Sequence, residues 1–209
     1  MKRYVSVAVL ALLAVVVLVA QAPQGWKVRI DRSTTASDPD ASGSVKFVTT
    51  GAGFHATTPQ AAVFWNPANT ATGNYSLKGT FTLMRPSGHT NYYGLVFGGG
   101  ALDGSGQSYI YFMVAQDGTW FLKRRDGNAT REVAGPSSSG AVKRPDSSGK
   151  STNALEVRVT ADRIEYLVNG TMVNTTPKTG PTAKTDGLYV IRSNLLLEIQ
   201  VDAFAVSKP

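Results

Sequence analysis

The chain has 209 residues, 42 % of them hydrophobic and 17 % charged, with no cysteine, so disulfides and thiolate metal sites are excluded and the fold must rest on packing. Its formal charge of +7 is scattered, apart from Lys123-Arg124-Arg125 and Lys143-Arg144. A nucleic-acid surface would show a basic stripe or a recognisable motif, and the sequence carries neither.

Lys2-Arg3 followed by an apolar run over residues 5–20 and by Ala20-Gln21-Ala22 has the charged start, apolar middle and small-residue end of a secretory signal. This predicts a signal peptide over residues 1–22, a secreted or periplasmic location, and no membrane in the mature form once the signal is cleaved. Pro23 directly after the proposed cut is unfavourable for signal peptidase, so a retained anchor is the alternative. Residues 23–209 suffice for one domain, burying on the order of 70 % of the extended chain's surface.

Residues 25–28 open this domain, and residues 31–43, rich in Ser, Thr, Asp and Pro, read as loop. Residues 45–50 and 53–58 read as two short strands joined at Gly51, and 61–65 as a third ending at Asn66-Pro67. In residues 74–84, Tyr75, Leu77, Gly79, Phe81 and Leu83 alternate with Ser76, Lys78, Thr80, Thr82 and Met84, the pattern of a half-buried strand.

The central stretch, residues 91–127, reads as three strands folded on one another. Residues 92–97 form an apolar run closed by three glycines. Residues 108–115 are apolar on both faces, with Tyr109, Tyr111 and Met113 on one and Ile110, Phe112 and Val114 on the other. Such a strand must be covered on both sides, or covered on one while presenting aromatics to a ligand on the other. Asp117-Gly118 predicts a type I′ hairpin into residues 119–125, which put Trp120, Leu122 and Arg124 on one face and Phe121, Lys123 and Arg125 on the other.

Residues 135–151, dominated by Ser, Gly, Pro, Lys and Arg, predict a long exposed loop. Residues 155–160 and 164–168 form a hairpin across Ala161-Asp162, and Asn169-Gly170 turns the chain into 171–175, giving a meander. Residues 187–192 and 196–206 supply the last two strands. The predicted fold class is all-β, a two-sheet antiparallel jelly-roll sandwich preceded by a signal-peptide helix.

The order of these pieces resembles the concanavalin A-like lectin/glucanase superfamily. The likeness lies in Asn91-Tyr92-Tyr93-Gly94-Leu95-Val96-Phe97-Gly98, in the strand pair about Asp117-Gly118, in "EVRVTADRIEYLVNG" and in the closing "GLYVIRSNLLLEIQVDAFAV". Gly25-Trp26 and Asn91 with Gly94 are similar to secreted bacterial domains grouped with 3-keto-disaccharide hydrolases. The resemblance implies a carbohydrate site on a concave sheet face; several members bind calcium, but no cofactor is expected here, and a plain turn is the preferred reading of the loop at Asp103.

On that face the expected ligand-binding residues are Asn91, Tyr92, Tyr109, Tyr111, Trp120 and Arg124, with aromatic rings for sugar faces and Asn or Arg for hydroxyls. Core packing is the rival explanation for each aromatic. His89, in a loop beside Asn91, is the candidate for proton transfer, and Asp103 in Asp103-Gly104-Ser105-Gly106-Gln107 is the candidate calcium ligand. The laminarinase-like Glu-x-Asp-x-x-Glu string is absent, and Glu132, Glu156, Glu165 and Glu198 are the only glutamates. The leading expectation is therefore a carbohydrate partner without turnover. A hydrolase similar to the 3-keto-disaccharide enzymes is the second reading, and a structural or adhesion module the third.

Overall fold

The structure is a computed structural model and describes residues 22–32 and 39–208. The predicted signal segment lies outside these residues except for Ala22. The strands run β1 (Lys27–Asp31), β2 (Lys46–Thr50), β3 (Gly53–Thr58), β4 (Ala61–Trp65), β5 (Thr70–Ala71), β6 (Tyr75–Arg85), β7 (Tyr92–Gly100) and β8 (Ser108–Ala115). They continue with β9 (Thr119–Asp126), β10 (Ala129–Ser138), β11 (Ser151–Val159), β12 (Arg163–Val168), β13 (Thr171–Pro177), β14 (Gly187–Ser193) and β15 (Leu197–Ser207). A single 3-10 turn, Gly180–Thr182, is the only helical element among the described residues.

Two antiparallel sheets stack face to face. Sheet A has the order β1-β4-β14-β7-β8-β9-β10, with β5 paired to β14, and sheet B the order β13-β12-β11-β6-β15-β3-β2. Sheet B shows the alternation its sequence demands: Leu77, Phe81, Leu83, Leu155 and Val157 are buried between the sheets, while Lys78, Glu156 and Arg158 pair with one another on the outer side. Sheet A differs, because both faces of β8 are buried. Ile110, Phe112 and Val114 join the inter-sheet core, whereas Tyr109, Tyr111 and Met113 belong to a second apolar cluster on the outer side with Val63, Trp65 and Phe121.

The second cluster is closed by curvature. Five inter-strand steps separate β1 from β9, on the order of 24 Å in a flat sheet. Yet Asp31 on β1 and Arg125 on β9 approach to 3.9 Å, and Arg29 donates to the carbonyls of Leu102 and Gly104 in the β7–β8 connection. Sheet A therefore curls, and its outer face is concave.

Two local expectations change. At Asp117-Gly118 only the glycine has positive φ (84°), and its amide donates to the Ala115 carbonyl at 3.1 Å, so the turn spans residues 115–118 and ends on a left-handed glycine. The Asp117 carboxylate accepts from the Thr119 amide and hydroxyl at 3.0 and 2.6 Å, a local bond that keeps Asp117 out of the left-handed region. The type I′ geometry belongs instead to Asn169 (φ 50°) and Gly170 (φ 81°), between the paired residues Val168 and Thr171.

Residues 135–138, predicted as loop, are the end of strand β10. This is an edge strand, largely exposed and interrupted by two register shifts, so its sequence carries no clean alternation. The remaining connection is pinned at its base. The buried Asn153 side chain accepts from the Lys143 amide at 2.8 Å and from Asn169 Nδ2 at 2.9 Å, and donates to the Lys143 carbonyl at 3.1 Å.

Gly94 stands at the centre of sheet A, between Arg192 and Met113 in register. A methyl group there would meet the Phe112 carbonyl oxygen at 2.4 Å and the Met113 Cα at 2.9 Å, both of them backbone atoms that cannot yield. Gly94→Ala is expected to lower unfolding stability by about 3 kcal/mol, a large overpacking cost, measurable by urea denaturation against wild type.

Candidate functional site

The concave face is built from outward positions that the pairing places in rows. One row reads Val190, Val96, Tyr111 and Lys123, and the next Val63, Arg192, Gly94, Met113 and Phe121. Along it the aromatic rings touch in sequence: Tyr92 to Phe121 at 4.3 Å, Phe121 to Tyr111 at 5.6 Å and Tyr111 to Tyr109 at 5.5 Å between centroids. Tyr109 is 0 % and Tyr111 6 % exposed. Over much of its length the hollow is thus filled by its own side chains, and the expected open, ring-lined groove is not present there.

The face opens at one end, where polar groups replace hydrocarbon. Arg192 donates through Nη1 to Asp31 Oδ2 at 2.5 Å and to the Tyr109 hydroxyl oxygen at 2.8 Å, with its guanidinium 5.3 Å above the Tyr111 ring. Arg29 Nε donates to Asp31 Oδ1 at 3.1 Å. Arg125 anchors its Nε on the Gly127 carbonyl at 2.9 Å and points Nη1 toward Asp31. Beside this cluster lies a cleft of about 510 Å³ lined by Arg29, Ile30, Asp31, Arg32, Arg125, Asn128 and Thr130.

The charges are fixed by their surroundings. Burial alone would raise the Asp31 pKa, but the charge and hydrogen bond of Arg192, then Arg125 and Arg29, outweigh it and hold the carboxyl below its ordinary range. Burial opposes the charge on Arg192, yet the oxygens of Tyr109, Asp31 and Tyr111 keep it protonated. Burial pushes the Tyr109 and Tyr111 hydroxyls up, so both keep their protons at neutral pH. Arg192 Nε is buried with no hydrogen-bond partner among the described residues.

The residues expected at the site separate into three places. Tyr109 and Tyr111 lie beside the Asp31 cluster. Tyr92 shares their face but is in register with Ala115, six residues along β8 from Tyr109, about 20 Å measured along the backbone, and its ring connects to theirs only through Phe121. Trp120 and Arg124 lie on the opposite face of β9, because they pair with Val114 and Ile110, which point inward. Trp120 packs in the inter-sheet core, and Arg124 is held by Asp126 at 2.7 Å and by the Pro181 carbonyl.

Asn91 is buried in the β6–β7 turn, donating to Ser87 Oγ at 3.2 Å and lying 3.3 Å from His89 Nδ1. The Gln116 side chain braces the same turn. Asn91 and His89 therefore sit with Tyr92, at the far end of the sheet from the cleft. Asp103 pairs with Lys27 Nζ at 2.9 Å, and no three His, Cys, Asp or Glu side chains converge on a metal-sized space among the described residues.

Asp31, Arg29, Arg192, Asn128 and Thr130 were not anticipated from the sequence. One signal existed: Arg192 ends the apolar run Leu188-Tyr189-Val190-Ile191, and a charge there needs a buried partner. That partner, Asp31, lies 161 residues away, in a segment whose composition reads as loop.

No family model matches the sequence, and neither does any curated protein. Among solved structures, the chain is similar to the carbohydrate binding module CBM66 from Bacillus subtilis, at TM-score 0.61 and 10 % identity over 88 % of this chain and 96 % of that one. A Bacillus subtilis protein of unknown function with a galectin-like fold gives 0.57 at 14 % identity, covering 88 % and 89 %. A putative glycosyl hydrolase from Parabacteroides distasonis gives 0.51 at 13 %, covering 88 % and 100 %. What the chain shares with these structures is the fold, a sandwich of two antiparallel β-sheets.

Asp31 supplies the single carboxylate among three guanidiniums, so Asp31→Asn is expected to lower stability at pH 7 by about 3 kcal/mol, the scale of breaking a buried pair. Because the folded pKa lies below the ordinary 3.8, the stabilisation is complete above that value and is lost as pH falls through the folded pKa. Denaturation curves between pH 7 and pH 2 should show wild type converging on the variant only below about pH 4.

Proposed function

We propose that this chain is an exported carbohydrate-binding β-sandwich, and that it holds sugar in the cleft at the Asp31–Arg125 end of the concave face. The observation that carries the reading is the cleft itself. Guanidinium groups of Arg29 and Arg125, the Asn128 amide and the Thr130 hydroxyl line a space of about 510 Å³, within the range of small-molecule sites. Sugars are recognised by such convergent donors and acceptors, held rigidly so that little entropy is lost on binding. Here the Asp31 cluster supplies the rigidity. The shared fold of a solved carbohydrate binding module supports the reading, and the apolar amino terminus supports export.

The second reading is a hydrolase similar to the 3-keto-disaccharide enzymes, supported by the likeness to a putative glycosyl hydrolase. It fits the cleft less well. Two-carboxylate hydrolysis requires one protonated acid and one nucleophile or base. The cleft presents Asp31 alone, ionised and committed to arginine.

The test is titration calorimetry on ligands drawn from a glycan array, with products followed by chromatography. Binding without release of free sugar is expected. Arg125→Ala should weaken it about tenfold or more, the cost of one charged hydrogen bond, while the melting temperature stays close to wild type. Lys78→Ala on the outer side of sheet B should change nothing. Undiminished binding by Arg125→Ala would move the site elsewhere, and sugar release lost in Asp31→Asn would favour the hydrolase.

A further inference from the structure

We infer that the sugar this cleft takes is acidic, bearing a carboxylate or sulfate group that docks on Arg125 and Arg32. The inference rests on the carbohydrate reading and specifies the class of ligand. Four guanidiniums, from Arg29, Arg32, Arg125 and Arg192, stand in or directly beside the cleft against one carboxylate, Asp31. Nor is that carboxylate available to a ligand: Oδ1 accepts from Arg29, and Oδ2 accepts from Arg192 and from the Tyr109 hydroxyl at 3.4 Å. Its charge is directed inward, to the buried side of the cluster.

Arg125 is differently placed. Its Nε is fixed on a backbone carbonyl, its Nη1 is 3.9 Å from Asp31, beyond hydrogen-bond reach, and its side chain is 17 % exposed. The guanidinium is thus held in one orientation with its terminal donors uncommitted among the described residues. A neutral hydroxyl can accept one such bond but leaves the excess positive charge in place. A carboxylate or sulfate accepts two in parallel and neutralises the charge.

A second basic cleft, of about 280 Å³ at Arg124, Arg131 and Lys184, shows the contrast. There the guanidinium of Arg124 already has Asp126, at 2.7 Å, as a paired carboxylate.

The experiment compares ligands that differ only in charge: oligogalacturonate against its methyl ester, and a sulfated galactan oligosaccharide against its desulfated form. Wild type should bind at least one acidic member about tenfold tighter than its neutral partner at an ionic strength of about 0.05 M, with the preference shrinking as salt is raised. Arg125→Gln, which keeps a hydrogen-bonding group but removes the charge, should erase the preference. Arg131→Ala, at the other cleft, should preserve it. The arm that shows the preference identifies carboxylate or sulfate.

Equal affinity within both pairs, or a preference untouched by Arg125→Gln, overturns the acidic-sugar inference while leaving carbohydrate binding intact. Failure of wild type to bind any of the four, or any glycan on the array, overturns both.

Discussion

A single buried carboxylate holds the first strand of this domain to strands that follow it by more than seventy residues. Asp31 is bonded by Arg29 from its own strand, by Arg192 from β14 and by Tyr109 from β8, with Arg125 of β9 close behind. These partners come from across the width of sheet A. Bringing them to one point requires the sheet to curl, and the curl places a second apolar cluster on the sheet's outer side. Ionic and apolar terms are therefore not separable here, since the ion cluster closes the end of a hollow that aromatic rings fill.

The same constraint decides which part of the face stays open. Most of the concave face is closed, because Tyr92, Phe121, Tyr111 and Tyr109 occupy it in contact with one another. What stays accessible is the end at which the cluster meets the β9–β10 turn, and it is polar because Asn128 lies in that turn and Thr130 just beyond it. Aromatic residues thus fill the hollow, and the polar groups that line the open end are arginine, amide and hydroxyl.

Much of the architecture was legible from the chain. Period-two alternation in β6, β11 and β12 is strong because one face of sheet B is wet and the other dry, so the sequence must alternate. The meander and the adjacency of β7, β8 and β9 follow from short turns, which force neighbouring strands to pair. β10 was legible only in part. Edge strands have one partner and mixed exposure, and the bulges after Glu132 and Ala134 break the period that would have marked it.

From residue order alone, alternation grouped Tyr109 with Tyr111 on one strand and Trp120 with Arg124 on the next, and the expectation set both pairs on the same concave face. Which face of each strand looks inward depends on pairing register across the hairpin, and one residue of register exchanges the two. The pairing of Val114 with Trp120 and Ile110 with Arg124 settled it, turning Trp120 into the core. The meeting of Asp31 with Tyr109 and Arg125 likewise had no local signal, because it is made by the curl of sheet A across four and five strand steps and not by any periodicity along the chain. Local physics sufficed for strands, turns and layers, since these depend on neighbours within a few residues. The cleft forms where edge strand β1 meets β9 and β10 across one bent sheet, and only the closed tertiary structure brings those strands together.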